Sequence, residues 1–282
     1  ILKARVLLVL VFGVPFFLWL HLNIRFARRP LPDDVTLIGK RLLPAEERAQ
    51  IEEYADKALL LFALIGALMV AAVASGHWRE WLQFANAVPF STTGEHNDAL
   101  FGRDAGFYVF KLGFIQYAWR SVFYGIVITL VTCVLVHLYQ EAIRVVGNVV
   151  HAIPRARAHV LVLLAVALFA RIYTYRIAQY NLLFSTHGKD FFGASYADIA
   201  ARLPVLYVLM VVCALAGIAC LLSVRSRSLT VPGGALAAVL LVSILGGWLY
   251  PQAVQRLVVG PNELVRETPY IENNIKATNL AY

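Results

Sequence analysis

Ten residues, Glu95 to Asp104, gather four side chains that could do chemistry: the carboxylates of Glu95, Asp98 and Asp104 and the imidazole of His96. Carboxylate oxygens and an imidazole nitrogen can share a divalent cation. The spacing matches no known metal loop, however. Gly94, Asn97 and Asp98 are ordinary turn formers. The stretch therefore reads as a structured loop in which Asp98 and Asp104 bond to backbone groups or to Arg103. No metal is expected.

Two other groups invite a chemical reading. His21 and His137 fall near the same ends of their apolar runs, and neutral imidazole is the commonest axial ligand for haem or a pigment metal. Packing with a hydrogen bond is the better expectation for both. Arg171 and Arg176 flank Tyr173 and Tyr175 within the fourth apolar segment. Charge inside a membrane marks function by default, yet near a span end it more often means snorkelling or an ion pair, with Asp190 or Asp198 as partner. No Gly-rich phosphate loop, nucleophile elbow, Cys-x-x-Cys or His-Glu-x-x-His motif occurs, so nothing here supports an enzyme.

The elements that carry these residues are apolar. Ala58–Ser75, Ser121–Gln140, Leu203–Val224 and Ser228–Gln255 contain no Asp, Glu, Lys or Arg. A bilayer core needs roughly 20 helical residues. Hydrophobic residues make up 60% and charged residues 15% of the chain, and mean hydropathy is +0.69; a soluble domain would carry more charge. The fold class predicted is all-α, a polytopic bundle with six spans at about residues 2–24, 58–76, 119–139, 158–178, 204–224 and 231–253. The net charge of +8 lies in loops and at helix ends, where Lys and Arg meet lipid headgroups. Nucleic acid is not an expected partner. Cys133, Cys213 and Cys220 all lie in apolar runs and read as small packing residues.

Between the spans the sequence is also informative. Pro15 should kink the first helix. In the loop 25–57, Pro44 followed by Glu46 and Glu47 reads as a helix start, and nothing breaks that helix before about Ser75. Ala63, Ala67, Ala71 and Ser75 form a small-residue stripe for close helix contact. The connection 77–118 is rich in Trp, Tyr and Phe, the composition of a membrane–water interface, with a short helix at Trp78–Phe84. The fourth span has only Ala158–Ala170 uncharged and must take in Arg171 to cross. Residues 254–282 read as the start of an extracytoplasmic region. The chain begins at Ile1 rather than Met, which points to a longer protein.

Short loops rich in Lys and Arg face the cytoplasm. Arg25, Arg28, Arg29, Arg155, Arg157, Arg225 and Arg227 meet that description. They place the loops after spans one, three and five inside a bacterial inner membrane and both ends of the chain outside.

Three stretches then carry a resemblance. Phe101-Gly102-Arg103-Asp104-Ala105-Gly106-Phe107-Tyr108-Val109-Phe110 is the first. Gly193-Ala194-Ser195-Tyr196-Ala197-Asp198-Ile199 is the second. The third is Pro261-Asn262-Glu263-Leu264 with Glu267, Pro269-Tyr270-Ile271 and Asn274-Ile275. In this order they resemble an uncharacterised family of bacterial multi-span membrane proteins. The sequence departs from that family's pattern at Ala99, Gly113, Ala197 and Asn279. The resemblance implies about seven spans followed by a large extracytoplasmic domain, and places all three motifs outside. It implies no chemistry.

No span has a carboxylate at its centre, which argues against a proton-coupled carrier. The expected role is a non-catalytic membrane scaffold or accessory subunit that anchors an extracytoplasmic domain and docks to other membrane subunits, with lipid as a neighbour. Two alternatives stand beside it: a transporter or channel for lipid or small solutes, and an accessory subunit of a photosynthetic or respiratory complex touching pigment or lipid.

Overall fold

The structure is a computed structural model, and it describes residues 1–29, 44–91, 93–147, 149–187, 191–226 and 229–281. Asp190 and Arg227, both named above, lie outside the described residues. The fold is all-α, and the described residues include six helices long and apolar enough to cross a membrane. This is the architecture that a bilayer enforces, because only a helix satisfies its own backbone within one apolar segment.

Helix α1 covers Leu2–Ala27. Pro15 has no N–H to continue the ladder, and the helix accommodates it with a π-helical turn at Val9–Gly13. Helix α2 covers Ala45–Gly76, 32 residues, with Glu46 and Glu47 in its first turn. At 1.5 Å per residue that is about 48 Å, longer than a bilayer core. The amphipathic helix α3 follows at Trp78–Ala85. Helix α4 covers Phe107–Tyr139 and opens with a π-helical stretch at Phe107–Leu112. A hairpin of β1 (Ile143–Val146) and β2 (Val149–Ala152) leads to α5 at Pro154–Asn181. A two-residue pair, β3 (Thr186–His187) with β4 (Phe191–Phe192), precedes α6, Asp198–Leu222. The sixth apolar stretch is Thr230–Lys276. It is built from α7 (Thr230–Ile244), π-helical turns at Leu245–Leu249 and Gln255–Val259, and α8 (Glu263–Ala281). The two small hairpins were not foreseen from the sequence; each closes a loop between helices.

The described chain forms two compact units, Ile1–Ala85 with Arg120–Leu163, and Asn86–Trp119 with Leu164–Tyr282. In the first, α1 lies close along α2. A Cβ on Gly13 would come within 2.9 Å of the Ala71 Cβ and 3.4 Å of the Ala67 carbonyl. Ala63, Ala67, Ala71 and Ala74 are buried, so the small-residue stripe closes on Ala74. Ser75, its expected last member, turns its hydroxyl to the Ala72 carbonyl. Phe16 fits against both Gly66 and Gly125. Where α1 ends, Arg28 reaches Glu52 at 2.8 Å and Asp56 at 2.7 Å, two acids one turn apart on α2. In the second unit, Gly217 of α6 takes the Phe169 ring of α5, and Gly246 takes Val205. Side chains without volume set the helix separation here, as they do where lipid supplies no hydrophobic drive for association.

Candidate functional site: a polar and aromatic hub around Tyr180 and Asp198

The loop that carries the first motif is folded around two carboxylates. Asp98 Oδ1 accepts the N–H groups of Leu100 (2.9 Å) and Phe101 (2.5 Å). Its Oδ2 accepts the N–H of Arg103 (2.8 Å) and the hydroxyl of Tyr108 (2.8 Å). Asp104 accepts the N–H groups of Phe90 (3.0 Å), Ser91 (3.1 Å) and Gly106 (2.7 Å). These amides, Phe90's foremost, hold the Asp104 carboxyl below the usual carboxylate range against the opposing effect of desolvation. The approach is so close that a Cβ on Gly106 would sit 2.7 Å from Asp104 Oδ1 and 2.6 Å from the Val88 carbonyl. Gly102 takes φ +62, a left-handed turn that glycine makes without strain.

Among the described residues, no three His, Cys, Asp or Glu side chains converge as a metal-holding group. Glu95 is exposed, and His96 enters the loop through its carbonyl, which accepts the Ala105 N–H. Asp98 and Asp104 bond to backbone amides of the loop.

The aromatic residues of the motif gather on Tyr180, near the end of α5. Its buried ring meets Phe101 at 5.3 Å and Phe107 at 5.2 Å between centroids. Two arginines share the same ring. The guanidinium carbon of Arg103 lies 5.6 Å from the Tyr180 centroid and that of Arg176 lies 4.9 Å away. Arg103 Nη2 donates to the Tyr180 hydroxyl at 3.2 Å, and Arg176 Nη1 donates to Gln179 Oε1 at 2.7 Å. Arg171 lies over its own neighbour one turn on, Tyr175, at 4.9 Å.

Asp198 is the most enclosed acid described, 1% exposed. Its Oδ2 lies 2.5 Å from the Ser185 hydroxyl and 3.2 Å from both the N–H and the hydroxyl of Ser195, and its Oδ1 pairs with Arg202 at 3.0 Å. Arg202 stands a turn further along the same helix, a partner for Asp198 that the sequence reading did not name. The second motif also meets the third. Glu267 Oε2 accepts the Tyr196 N–H at 3.0 Å, Tyr270 stands edge-on to Tyr196, and Asn274 fills the space beside Gly193.

The two histidines considered for haem have different surroundings. His21 stacks on Phe17. His137 is fully buried and hydrogen-bonds through Nε2 to Nδ1 of His159 at 3.1 Å; His159 Nε2 in turn meets Asn23 Oδ1 at 3.1 Å. The Nε2 that would face a haem iron is therefore engaged in a side-chain chain.

Sequence reasoning missed His159, Asn23 and Tyr180. A signal for Tyr180 was present: Arg171/Tyr175 and Arg176/Tyr180 are both i, i+4 pairs, the spacing at which helical side chains meet.

A helical fold with six apolar spans and a hub of backbone-bound carboxylates defines a multi-pass membrane protein. Its family is also shown. Over residues 1–282 the chain matches the uncharacterised protein family UPF0182, and it belongs to that family. It is similar to a UPF0182 protein of Thermobifida fusca, with 36% identity over 79% of this chain and 22% of the relative. A relative from Frankia alni shows 30% identity over 100% of this chain and 27% of its own length. One from Streptomyces coelicolor shows 33% identity over 99% and 28%. The chain thus spans about a quarter of the length of these curated relatives. No solved structure matches it.

Proposed function

We propose that this chain is a non-catalytic membrane scaffold, one that anchors a domain outside the cytoplasm and presents its helices to lipid and to neighbouring membrane subunits. One observation carries the reading. The carboxylates best placed to do chemistry are all engaged in holding backbone: Asp98 takes four donors, Asp104 takes three amides, and Asp198 and Glu267 tie the loop at Ser195-Tyr196 in place. A group that acts as general base or metal ligand needs a free lone pair within reach of its partner. These instead act as staples for loops between spans.

The apolar surface supports the same reading. In the apolar window of Thr230–Lys276 only 6% of the residues are buried within the chain. Leu240, Leu241, Ile244 and Trp248 are all exposed. Such a face needs lipid or another apolar helix. In the topology that the basic loops favour, the hub lies on the outer side of a bacterial inner membrane.

Reconstitution into liposomes is the direct test. A scaffold gives no solute-specific flux above protein-free vesicles, and mild-detergent purification recovers it with stoichiometric membrane partners. Ligand-specific flux that Arg171→Ala abolishes would replace this reading with a transporter. Topology is tested separately: Ser91→Cys should react with a membrane-impermeant thiol reagent in intact cells, and reaction only after the inner face is opened reverses the orientation.

A further inference from the structure

Two positive charges meet at one ring near the end of a span, and among the described residues no carboxylate pairs with either. Arg103 comes from the loop and Arg176 from the last two turns of α5; both place their guanidinium carbons over Tyr180. Aromatic faces attract cations, but two cations around one ring also repel each other. The acids nearby are occupied. Asp98 and Asp104 face backbone amides and the Tyr108 hydroxyl, and Asp198 pairs with Arg202. Among the described residues, neither Arg103 nor Arg176 has an acid within ion-pair distance. A guanidinium carries five N–H donors. Arg103 makes one side-chain bond, to Tyr180, and Arg176 makes one, to Gln179.

We propose that Arg103 and Arg176 form a binding site for the phosphate of an anionic lipid headgroup. The planar fork of arginine matches phosphate oxygens in pairs, and an anion held between the two guanidiniums relieves their repulsion. The position selects a lipid over a soluble anion. The apolar helix containing Arg176 ends at Phe184, and headgroups lie at the ends of spans. Beside the hub, Val109 and Phe184 are each 58% exposed. An apolar rim next to two cations suits the glycerol and acyl chains of a lipid, and a free phosphate has no use for it. This inference rests on the membrane-spanning fold and not on the scaffold role: a protein that proved to move solutes would keep the site.

The test uses the full-length protein in mild detergent, titrated with phosphatidylglycerol, phosphatidylcholine or inorganic phosphate, with bound adducts resolved by native mass spectrometry. Phosphatidylglycerol should bind at least about tenfold more tightly than phosphatidylcholine, the scale of one or two charge-assisted hydrogen bonds. The double variant Arg103→Gln, Arg176→Gln should lose that preference while its thermal unfolding stays that of a folded protein. Arg103 is exposed, so Arg103→Gln alone serves where the double variant does not fold, and it should weaken phosphatidylglycerol binding several-fold. Equal binding of the two lipids by the natural protein overturns the proposal, as does an unchanged preference in folded variants. Inorganic phosphate bound as tightly as phosphatidylglycerol overturns the lipid assignment in favour of a soluble anion. Flux measured in liposomes would leave these outcomes untouched, so failure of the scaffold reading is separately visible.

Discussion

His137 Nε2 lies 3.1 Å from His159 Nδ1, and this contact links a chain of three side chains, two buried histidines and the half-buried Asn23, along which the protons can be placed. Asn23 Nδ2 donates to the Trp19 carbonyl at 2.7 Å, so Asn23 Oδ1 is free to accept. Its neighbour, His159 Nε2 at 3.1 Å, must then carry a proton. Neutral His159 is left with a bare Nδ1 that can only accept, which makes His137 the donor through Nε2–H. His137 Nδ1 is then an unprotonated lone pair, buried and with no hydrogen-bond partner among the described residues. The expected outcome is the Nε2–H tautomer on both rings, read from imidazole nitrogen shifts in labelled protein. Asn23→Leu should release His159 and mix its tautomers; Nδ1–H on His137 in the natural protein would break the chain of assignment.

Gly193 takes φ +129, and a Cβ there would come within 2.5 Å of Asn274 Nδ2 and 2.8 Å of its Oδ1. Gly193→Ala therefore meets both a backbone conformation that side chains rarely adopt and the side chain of α8. The cost should be about 1–3 kcal/mol, seen as a lower melting temperature in detergent and faster proteolysis between α7 and the end of the chain. Adding Asn274→Ala should recover part of the loss, because it removes the clash and leaves the φ strain. Full recovery would show that the backbone conformation carries no cost.

Asp104 gives the hub an acid limit. Its carboxyl is held below the usual range by the amides of Phe90, Ser91 and Gly106, so the folded form binds its proton less readily than the unfolded chain. That difference stabilises the fold above the ordinary aspartate value, roughly 3.9, and is lost as pH falls through the lower folded value. Stability across neutral pH should be flat with respect to this group. Asp104→Asn should lower stability at pH 7 and make the acid limb of the unfolding profile shallower. An identical acid limb in the variant would assign the acid sensitivity to another group.

The sequence made the spans legible and the hub only half so. Apolar runs report their own length, and in a bilayer length and charge decide whether a segment crosses. Pro44 with Glu46 and Glu47 marked the start of α2 because helix starts are chemical signatures. Asp98 and Asp104 were readable as loop staples because short acids beside Gly and Asn bind local amides. The contact of Glu267 with Tyr196 was not readable, since the two lie 71 residues apart and neither has a local pattern. Arg202 was readable as a partner of Asp198 from its place one turn away on the same helix. Ser75 was assigned to the small-residue stripe by a strict four-residue step. A helix has 3.6 residues per turn, so the buried line moves to Ala74.

That stripe yields the last expectation. Gly13 sits in the π-helical turn of α1 and would place a Cβ 2.9 Å from the Ala71 Cβ. Both partners are already as small as side chains allow, so the two backbones have no slack. Lipid chains are as apolar as the helices and would not push α1 and α2 together; close van der Waals packing must do so. Gly13→Val adds bulk that neither partner can yield to and should cost about 1–3 kcal/mol. It should loosen the α1–α2 contact without disturbing the loop at Asp98, which belongs to the other unit. Crosslinking between Phe16→Cys and Gly66→Cys, positions that face each other across α1 and α2, would fall in the variant relative to its level in natural Gly13 protein, while unfolding of the hub, followed through Trp119, keeps its midpoint. Ala71→Gly should restore part of the packing in the Gly13→Val background. If Gly13→Val leaves both crosslinking and stability unchanged, the helices are held together by something other than this close approach.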